Sequence, residues 1–173
     1  FAAAVSGRPM AYFQYRHHDG NYRIIKATTT KLYNLDSALA WADITDAADP
    51  LTGSPVEQPV FRVFQKAGAT WLLMINGANT LKKWNGLTAT YTIAGGTPVR
   101  ARTMMVLFDR IVLGNLLSGA TVNPAAVDVS ANKDFDSGWS SEQTEILSSP
   151  PGEIISMNEF GGPSRYHEEG HRL

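Results

Sequence analysis

The most constraining feature of this sequence is a strand-turn-strand pattern that recurs about every 45 to 50 residues. The three copies occupy residues 22–34, 71–86 and 110–130. Tandem units of about 40 to 50 residues with several strands each are typical of propeller blades, which need neighbours to bury their faces. We therefore predict an all-β fold of about three propeller-like blades of antiparallel strands, which could belong to a larger ring. A β-sandwich is the alternative, because short strands at regular spacing suit both architectures.

Length and composition set further limits. The 173 residues are 43% hydrophobic, enough for one core, but closed propellers usually need more than about three blades. The net charge of −1 lacks the basic excess of a nucleic-acid-binding surface, and the absence of cysteine excludes disulfides. The longest apolar runs, such as 104–108, are far shorter than a membrane span, so we expect no membrane contact.

The pattern also predicts individual strands. Residues 71–75 are continuously apolar, as in a strand buried on both faces, and 39–45 fits an outer strand. Residues 88–93 alternate threonine with apolar residues and predict a half-exposed strand, whereas 121–124 predicts a loop. We divide the chain into a lead-in (1–9), a propeller-like β domain (10–162) and a polar C-terminal tail (163–173).

Several short motifs follow one another in an order that resembles a known protein family. They are Leu32-Tyr33-Asn34-Leu35-Asp36, Asn76-Gly77, Lys83-Trp84-Asn85-Gly86, Gly95-Gly96-Thr97-Pro98, Ala101-Arg102, Asp109-Arg110-Ile111-Val112-Leu113-Gly114, Asp134-Phe135-Asp136-Ser137-Gly138-Trp139 and Gly152-Glu153-Ile154-Ile155. In this order, over about residues 10–162, the chain resembles the propeller region of tail nozzle proteins of short-tailed bacteriophages, also described as packaged-DNA stabilisation proteins. Members of that family are usually much longer than this chain.

The resemblance implies a structural protein of the virion, located in the phage tail. Such proteins form a ring of identical subunits around the channel through which DNA leaves. We expect a component of the tail nozzle or connector that docks other tail or connector proteins and lets DNA pass without specific binding. We expect no enzyme activity, no catalytic residue, no cofactor and no metal.

Four residues are the candidate interface residues: Lys83, Arg100, Arg102 and Trp139. Strand alternation places Lys82 and Lys83 on opposite faces, and Arg100 and Arg102 on one face. Pairing between blades or between subunits is the favoured role of the basic residues, ahead of phosphate binding.

Other motifs define alternative functions. Trp41, Trp139 and nearby carboxylates would suit a module that binds a host glycan or protein. Asp134 and Asp136 near Trp139 would suit a carbohydrate-active enzyme. Residues 167–171 fit a zinc-binding His-Glu-x-x-His spacing, but Gly170 weakens a helix there, and we interpret them as a solvated tail. His17 and His18, beside an Asp-Gly turn, are predicted to be exposed.

Overall fold

The computed structural model describes residues 6–88, 90–93, 100–118, 120–137, 139, 145–146 and 157. Within these residues the regular structure is entirely β. The strands are β1 (Pro9–Arg16), β2 (Tyr22–Thr28), β3 (Leu32–Leu35), β4 (Trp41–Asp43), β5 (Val60–Lys66), β6 (Ala69–Ile75), β7 (Lys82–Trp84), β8 (Thr92–Ile93), β9 (Arg100–Leu107), β10 (Arg110–Ser118), β11 (Thr121–Val129) and β12 (Glu145–Ile146).

The strands form three antiparallel sheets of four strands each. Four consecutive strands make each sheet, in the orders β1-β2-β3-β4, β5-β6-β7-β8 and β9-β10-β11-β12. The last strand of each sheet is also its shortest, with two or three residues. This confirms the predicted all-β fold with about three blade-like sheets.

The second sheet is buried on both faces. Along β6, Leu72 and Met74 belong to one apolar cluster, whereas Leu73 and Ile75 belong to another. The first cluster lies between the first and second sheets, and the second lies between the second and third. The prediction that 71–75 is buried on both faces is therefore confirmed, and its physical cause is a neighbouring sheet on each side.

Aromatic side chains make much of the first contact. The rings of Phe13 and Phe61 stack with centroids 5.4 Å apart, and Trp84 and Tyr91 are buried in the same cluster. In the second contact, aliphatic side chains of β6 meet those of β9 and β10, including Met104, Ile111 and Leu113, and β9 lies against β5.

Two predicted boundaries are wrong. The strand predicted over 88–93 comprises only β8, because the Thr88 hydroxyl donates to Asn85 Oδ1 (3.0 Å) or Thr90 O (2.9 Å) and holds a turn. The loop predicted at 121–124 is instead part of β11. Pro124 is tolerated there because the register of β10 and β11 shifts between Gly114 and Leu116.

The hairpin predicted around Asp109 is present. Phe108 and Asp109 join β9 to β10 with φ values of 47° and 59°, as a two-residue turn with both residues in the left-handed region requires. The described residues contain no helix of the length and hydropathy that a membrane span needs.

Candidate functional site

Lys83 lies in a cluster of charges at the contact between the second sheet and the segment after β11. Its Nζ donates to Asp136 Oδ1 at 2.6 Å. Lys66 Nζ, from β5, donates to Asp136 Oδ2 at 2.8 Å and also to Asp134 Oδ1. We call Lys66, Lys83, Asp134 and Asp136 the ionic cluster. Each carboxylate in it accepts a hydrogen bond from at least one ammonium.

The ionic cluster surrounds an aromatic anchor. Phe135 is fully buried, and its ring packs edge-on against Phe64 and Trp71 with centroids 5.5 and 5.4 Å away. The ammonium groups of Lys66 and Lys83 lie 4.7 and 5.6 Å from the Phe135 ring centroid. The buried Phe135 ring and the surrounding ion pairs thereby hold the segment after β11 against the second sheet.

Trp139 belongs to the same contact. It is half-buried against the apolar cluster between the second and third sheets, and its Nε1 donates to Phe135 O at 2.9 Å. The structure thus brings two of the four candidate interface residues, Lys83 and Trp139, together around Phe135, in packing within the chain itself.

The charges of the cluster are mutually stabilised. Burial acts to raise the pKa of Asp134, but hydrogen bonds from Lys66 Nζ, the Asp136 backbone N–H and the Ser137 hydroxyl outweigh it. They hold the pKa of Asp134 well below its usual range. The same carboxylates overcome the effect of burial on Lys66 and raise its pKa.

Arg100 and Arg102 lie at the start of β9, opposite Leu117 and near Asn115 of β10. Arg100 is half-buried and Arg102 is exposed. The stem of Arg102 covers Gly77, where an added Cβ would lie 3.1 Å from Arg102 Cγ. Arg102 therefore contributes packing as well as charge at this point of the second sheet.

Strand alternation correctly separates the two adjacent lysines of β7. Lys82 is buried on the side of the first sheet, where its ammonium binds Asp49 and lies 5.6 Å from the Tyr91 ring. Burial lowers the pKa of Lys82 to about 8, while the nearby carboxylate of Asp46 acts in the opposite direction. Lys83 lies on the opposite face of β7, where it binds Asp136 in the segment after β11.

Sequence analysis did not predict the aromatic face on the first sheet. Lys26 is 4% exposed, and its ammonium lies 4.0 Å from the ring centroid of Trp41 and 5.4 Å from that of Tyr33. Tyr12, 63% exposed, lies 6.1 Å from Trp41. We call Tyr12, Lys26, Tyr33 and Trp41 the open face. Tyr12 pairs with Lys26, and Lys26 with Tyr33, across three strands.

Lys26 differs from the other five lysines because no carboxylate of the described residues forms a salt bridge with it. The nearest candidate in the same row, Asp43, pairs with Tyr33 in the sheet but binds Lys31 at 2.5 Å. Burial lowers the pKa of Lys26. The buried ammonium of Lys26 is therefore stabilised by cation–π contacts with Tyr33 and Trp41.

The prediction that His17 and His18 are exposed is wrong for His17 and confirmed for His18. His17 is buried, and its Nε2 lies 2.7 Å from Asn85 O in the second sheet's β7–β8 connection. His18 is exposed, yet its Nδ1 accepts a hydrogen bond from the Thr70 backbone N–H at 3.0 Å. The pair therefore links the first sheet to the second through contacts that sequence spacing does not reveal.

Several sequence motifs lie outside the described residues. They are the His-Glu-x-x-His spacing at 167–171, the polar tail at 163–173, the break at 95–98 and the segment at 152–155. Within the described part of the chain, no group of three or more His, Cys, Asp or Glu side chains could hold a metal ion.

No protein-family model matches the sequence, and no curated protein is significantly similar to it.

Proposed function

We infer that this chain is a structural protein of a bacteriophage virion, a component of the tail nozzle or connector that forms part of the DNA exit channel. Two things support the proposal: the order of short motifs that resembles tail nozzle proteins, and the serial stacking of blade-like sheets. A stack of sheets is a rigid element suited to building the wall of a ring, and it needs no catalytic group.

One observation carries the assembly part of the proposal. In the second sheet, Val63 pairs with Leu72 and Leu72 with Trp84, and this row faces the first sheet. The matching row of the first sheet belongs to the open face. In that row Lys26 and Tyr33 are buried, but the aromatic rings beside them are not covered by a described sheet: Tyr12 is 63% exposed and Trp41 is half-buried. These rings are where another sheet would add to the stack.

We assign a neighbouring subunit of a homo-oligomeric ring as the occupant of the open face. Lys26 favours a protein surface with a carboxylate opposite it, because an ammonium that loses its remaining contact with water needs an opposite charge to offset its desolvation. Other tail or connector proteins would dock elsewhere on the same ring.

The charges of the chain suit passage of DNA without specific binding. Lys66, Lys82 and Lys83 each bind a carboxylate within the chain. Ammonium groups neutralised in this way are poor partners for phosphates, and each phosphate contact would add affinity and slow sliding. Their pairing and the net charge of −1 are therefore compatible with a channel wall.

The structure supports the two alternative functions, a binding module and a carbohydrate-active enzyme, less well than the structural role. A glycan- or protein-binding module that uses Trp139 is disfavoured, because that side chain packs against the core. For a carbohydrate-active enzyme, Asp134 and Asp136 would need freedom to exchange protons, whereas lysine ammoniums bind both. These contacts favour a structural role for the two carboxylates.

Sedimentation velocity of the purified protein, alone and mixed with the other tail proteins of the phage, tests the proposal. We expect a discrete ring-sized assembly, or incorporation into one, for the unaltered protein. Tyr12→Glu should abolish it by placing a charge on the open face. Leu87→Glu, at a 65% exposed leucine on the β7–β8 loop of the second sheet, is the control and should assemble normally.

A persistent 18.8 kDa monomer under both conditions would contradict the proposal. Equal assembly of Tyr12→Glu and the unaltered protein would leave the ring possible but remove the open face as its contact.

A further inference from the structure

A crevice of about 480 Å³ lies beside the first sheet, where the β7–β8 loop of the second sheet approaches it. This volume is in the range of small-molecule sites. Its polar lining comes from adjacent strands and turns, and includes Tyr22, Arg23, Asn34, Asp36, Ser37 and Gly86. None of these residues belongs to the ionic cluster or the open face.

The two charged groups of the crevice are held in place by the fold. Arg23 Nε donates to Gly86 O at 3.2 Å, and its Nη2 donates to Asp19 Oδ2 at 2.6 Å. Asp36 Oδ1 accepts hydrogen bonds from the backbone N–H groups of Ala38 and Ala40, at 2.9 and 2.8 Å. A binding site built from groups that are already fixed loses little entropy when a ligand enters.

Asn34 points to a missing hydrogen-bond partner. Its Oδ1 is buried and has no hydrogen bond within the described part of the chain. Most buried side-chain amides are satisfied, since an unpaired one costs free energy. Asn34 lines the crevice, so a hydrogen-bond donor there would satisfy Oδ1 once the amide turns towards it.

The charged residues that line the crevice limit the kind of ligand that it can bind. The carboxylate of Asp36 disfavours an anion, and the guanidinium of Arg23 disfavours a cation. Neutral vicinal hydroxyls suit both, because each hydroxyl can donate to Asp36 or Asn34 and also accept from Arg23. Tyr22, 64% exposed at the same site, offers an aromatic face to the C–H face of a sugar ring.

We propose that this crevice binds a neutral pyranose unit of a saccharide, with Asn34, Asp36 and Arg23 as hydrogen-bonding residues and Tyr22 as the stacking residue. The site goes beyond the structural role and is complete within one chain, so its test does not depend on assembly.

Saturation-transfer difference NMR and calorimetric titration of the isolated protein test the site, with the methyl glycosides of glucose, galactose, mannose and N-acetylglucosamine as probes. At least one should bind, and inorganic phosphate should not compete. Asn34→Leu, which keeps the size and removes the amide, should weaken binding about tenfold. Tyr22→Ala should weaken it several-fold.

Tyr12→Ala is the matched control, since it removes an equally exposed tyrosine outside the crevice and should leave affinity unchanged. Thermal unfolding establishes that each variant is folded. The inference is overturned if none of the four glycosides binds the folded protein, or if binding survives Asn34→Leu and Tyr22→Ala unaltered.

Discussion

The first and second sheets present the same face to different surroundings. In the second sheet, Leu72 and Trp84 are 2% and 3% exposed because the first sheet covers them. In the first sheet, the equivalent row places Lys26 and Tyr33 beneath a half-buried Trp41 and an exposed Tyr12. The covered row has an aliphatic centre, whereas the open row has an amine at its centre.

The difference shows how the same row of a repeated unit changes when no described sheet covers it. An apolar row such as that of the second sheet would be a liability on a free surface, because large exposed apolar patches promote association with wrong partners. Aromatic rings around a lysine stay compatible with water yet can still bury area when a suitable partner arrives. The composition of the open face therefore fits the proposed contact with a neighbouring subunit.

The largest expected effect comes from removing the buried indole at the β7 end of the covered row. Trp84→Ala deletes a buried indole and its hydrogen bond to Thr88 O, and should lower the free energy of unfolding by about 3–5 kcal/mol. Tyr12→Ala, in the equivalent row of the first sheet, should cost less than about 1 kcal/mol in the isolated chain. Urea unfolding followed by fluorescence measures both, and equal costs would remove the distinction between the two faces.

A smaller loss of stability is expected from a change at Gly86, where the β7–β8 loop meets the first sheet. Gly86 has a φ of +77°, and an added Cβ would lie 2.7 Å from His17 Cδ2. We expect Gly86→Ala to cost about 2–4 kcal/mol, from backbone strain plus the clash. Gly68→Ala is the control, because Gly68 has a φ of +79° with nothing within 4 Å of the added Cβ.

Gly68→Ala should lower the free energy of unfolding by only the cost of backbone strain, about 1–2 kcal/mol. Thermal unfolding of the two variants compares them directly. If both lose the same stability, the β7–β8 loop does not seal the two sheets as the structure describes.

The smallest effect concerns Lys26, and it depends on pH. Burial lowers the pKa of Lys26, so the folded chain binds this proton less tightly than the unfolded chain does. The contribution of Lys26 to stability should therefore rise as pH increases through the folded pKa towards the unfolded value of about 10.4. At neutral pH, Lys26→Met should be neutral or stabilising by up to about 1 kcal/mol, and this advantage should shrink in alkali.

Lys31→Met provides the matched control for that titration. Lys31 is paired with Asp43 and its pKa is raised, so its contribution should stay constant between pH 7 and pH 10. Urea unfolding of both variants across this range gives the two pH profiles. An advantage of Lys26→Met that grows with pH would contradict the description of the open face.

The sequence was sufficient to predict features that depend on local alternation. The apolar run of β6 predicted burial on both faces, and adjacency in β7 predicted opposite directions for Lys82 and Lys83. The threonines at 88–92 misled the same reasoning, because the Asn85 side chain organises a turn there that competes with strand formation.

Contacts between distant segments were beyond sequence reasoning. The open face depends on the register that aligns Tyr12, Lys26 and Tyr33, and register is set by turns and packing together. Likewise, the partners of Lys83 come from residue 136, 53 positions away, and those of His17 from the β7–β8 loop. Trp139 and Lys83 were identified as interface candidates, but their meeting around Phe135 required the fold.

Hydroxyl-radical footprinting of the assembled tail, compared with the isolated chain, tests the central claim most directly. The account predicts that oxidation of Tyr12 and Trp41 falls several-fold on assembly, whereas oxidation of Leu87 on the β7–β8 loop of the second sheet stays the same. Unchanged oxidation of Tyr12 and Trp41 in the assembly would contradict the claim that the open face receives a neighbouring subunit.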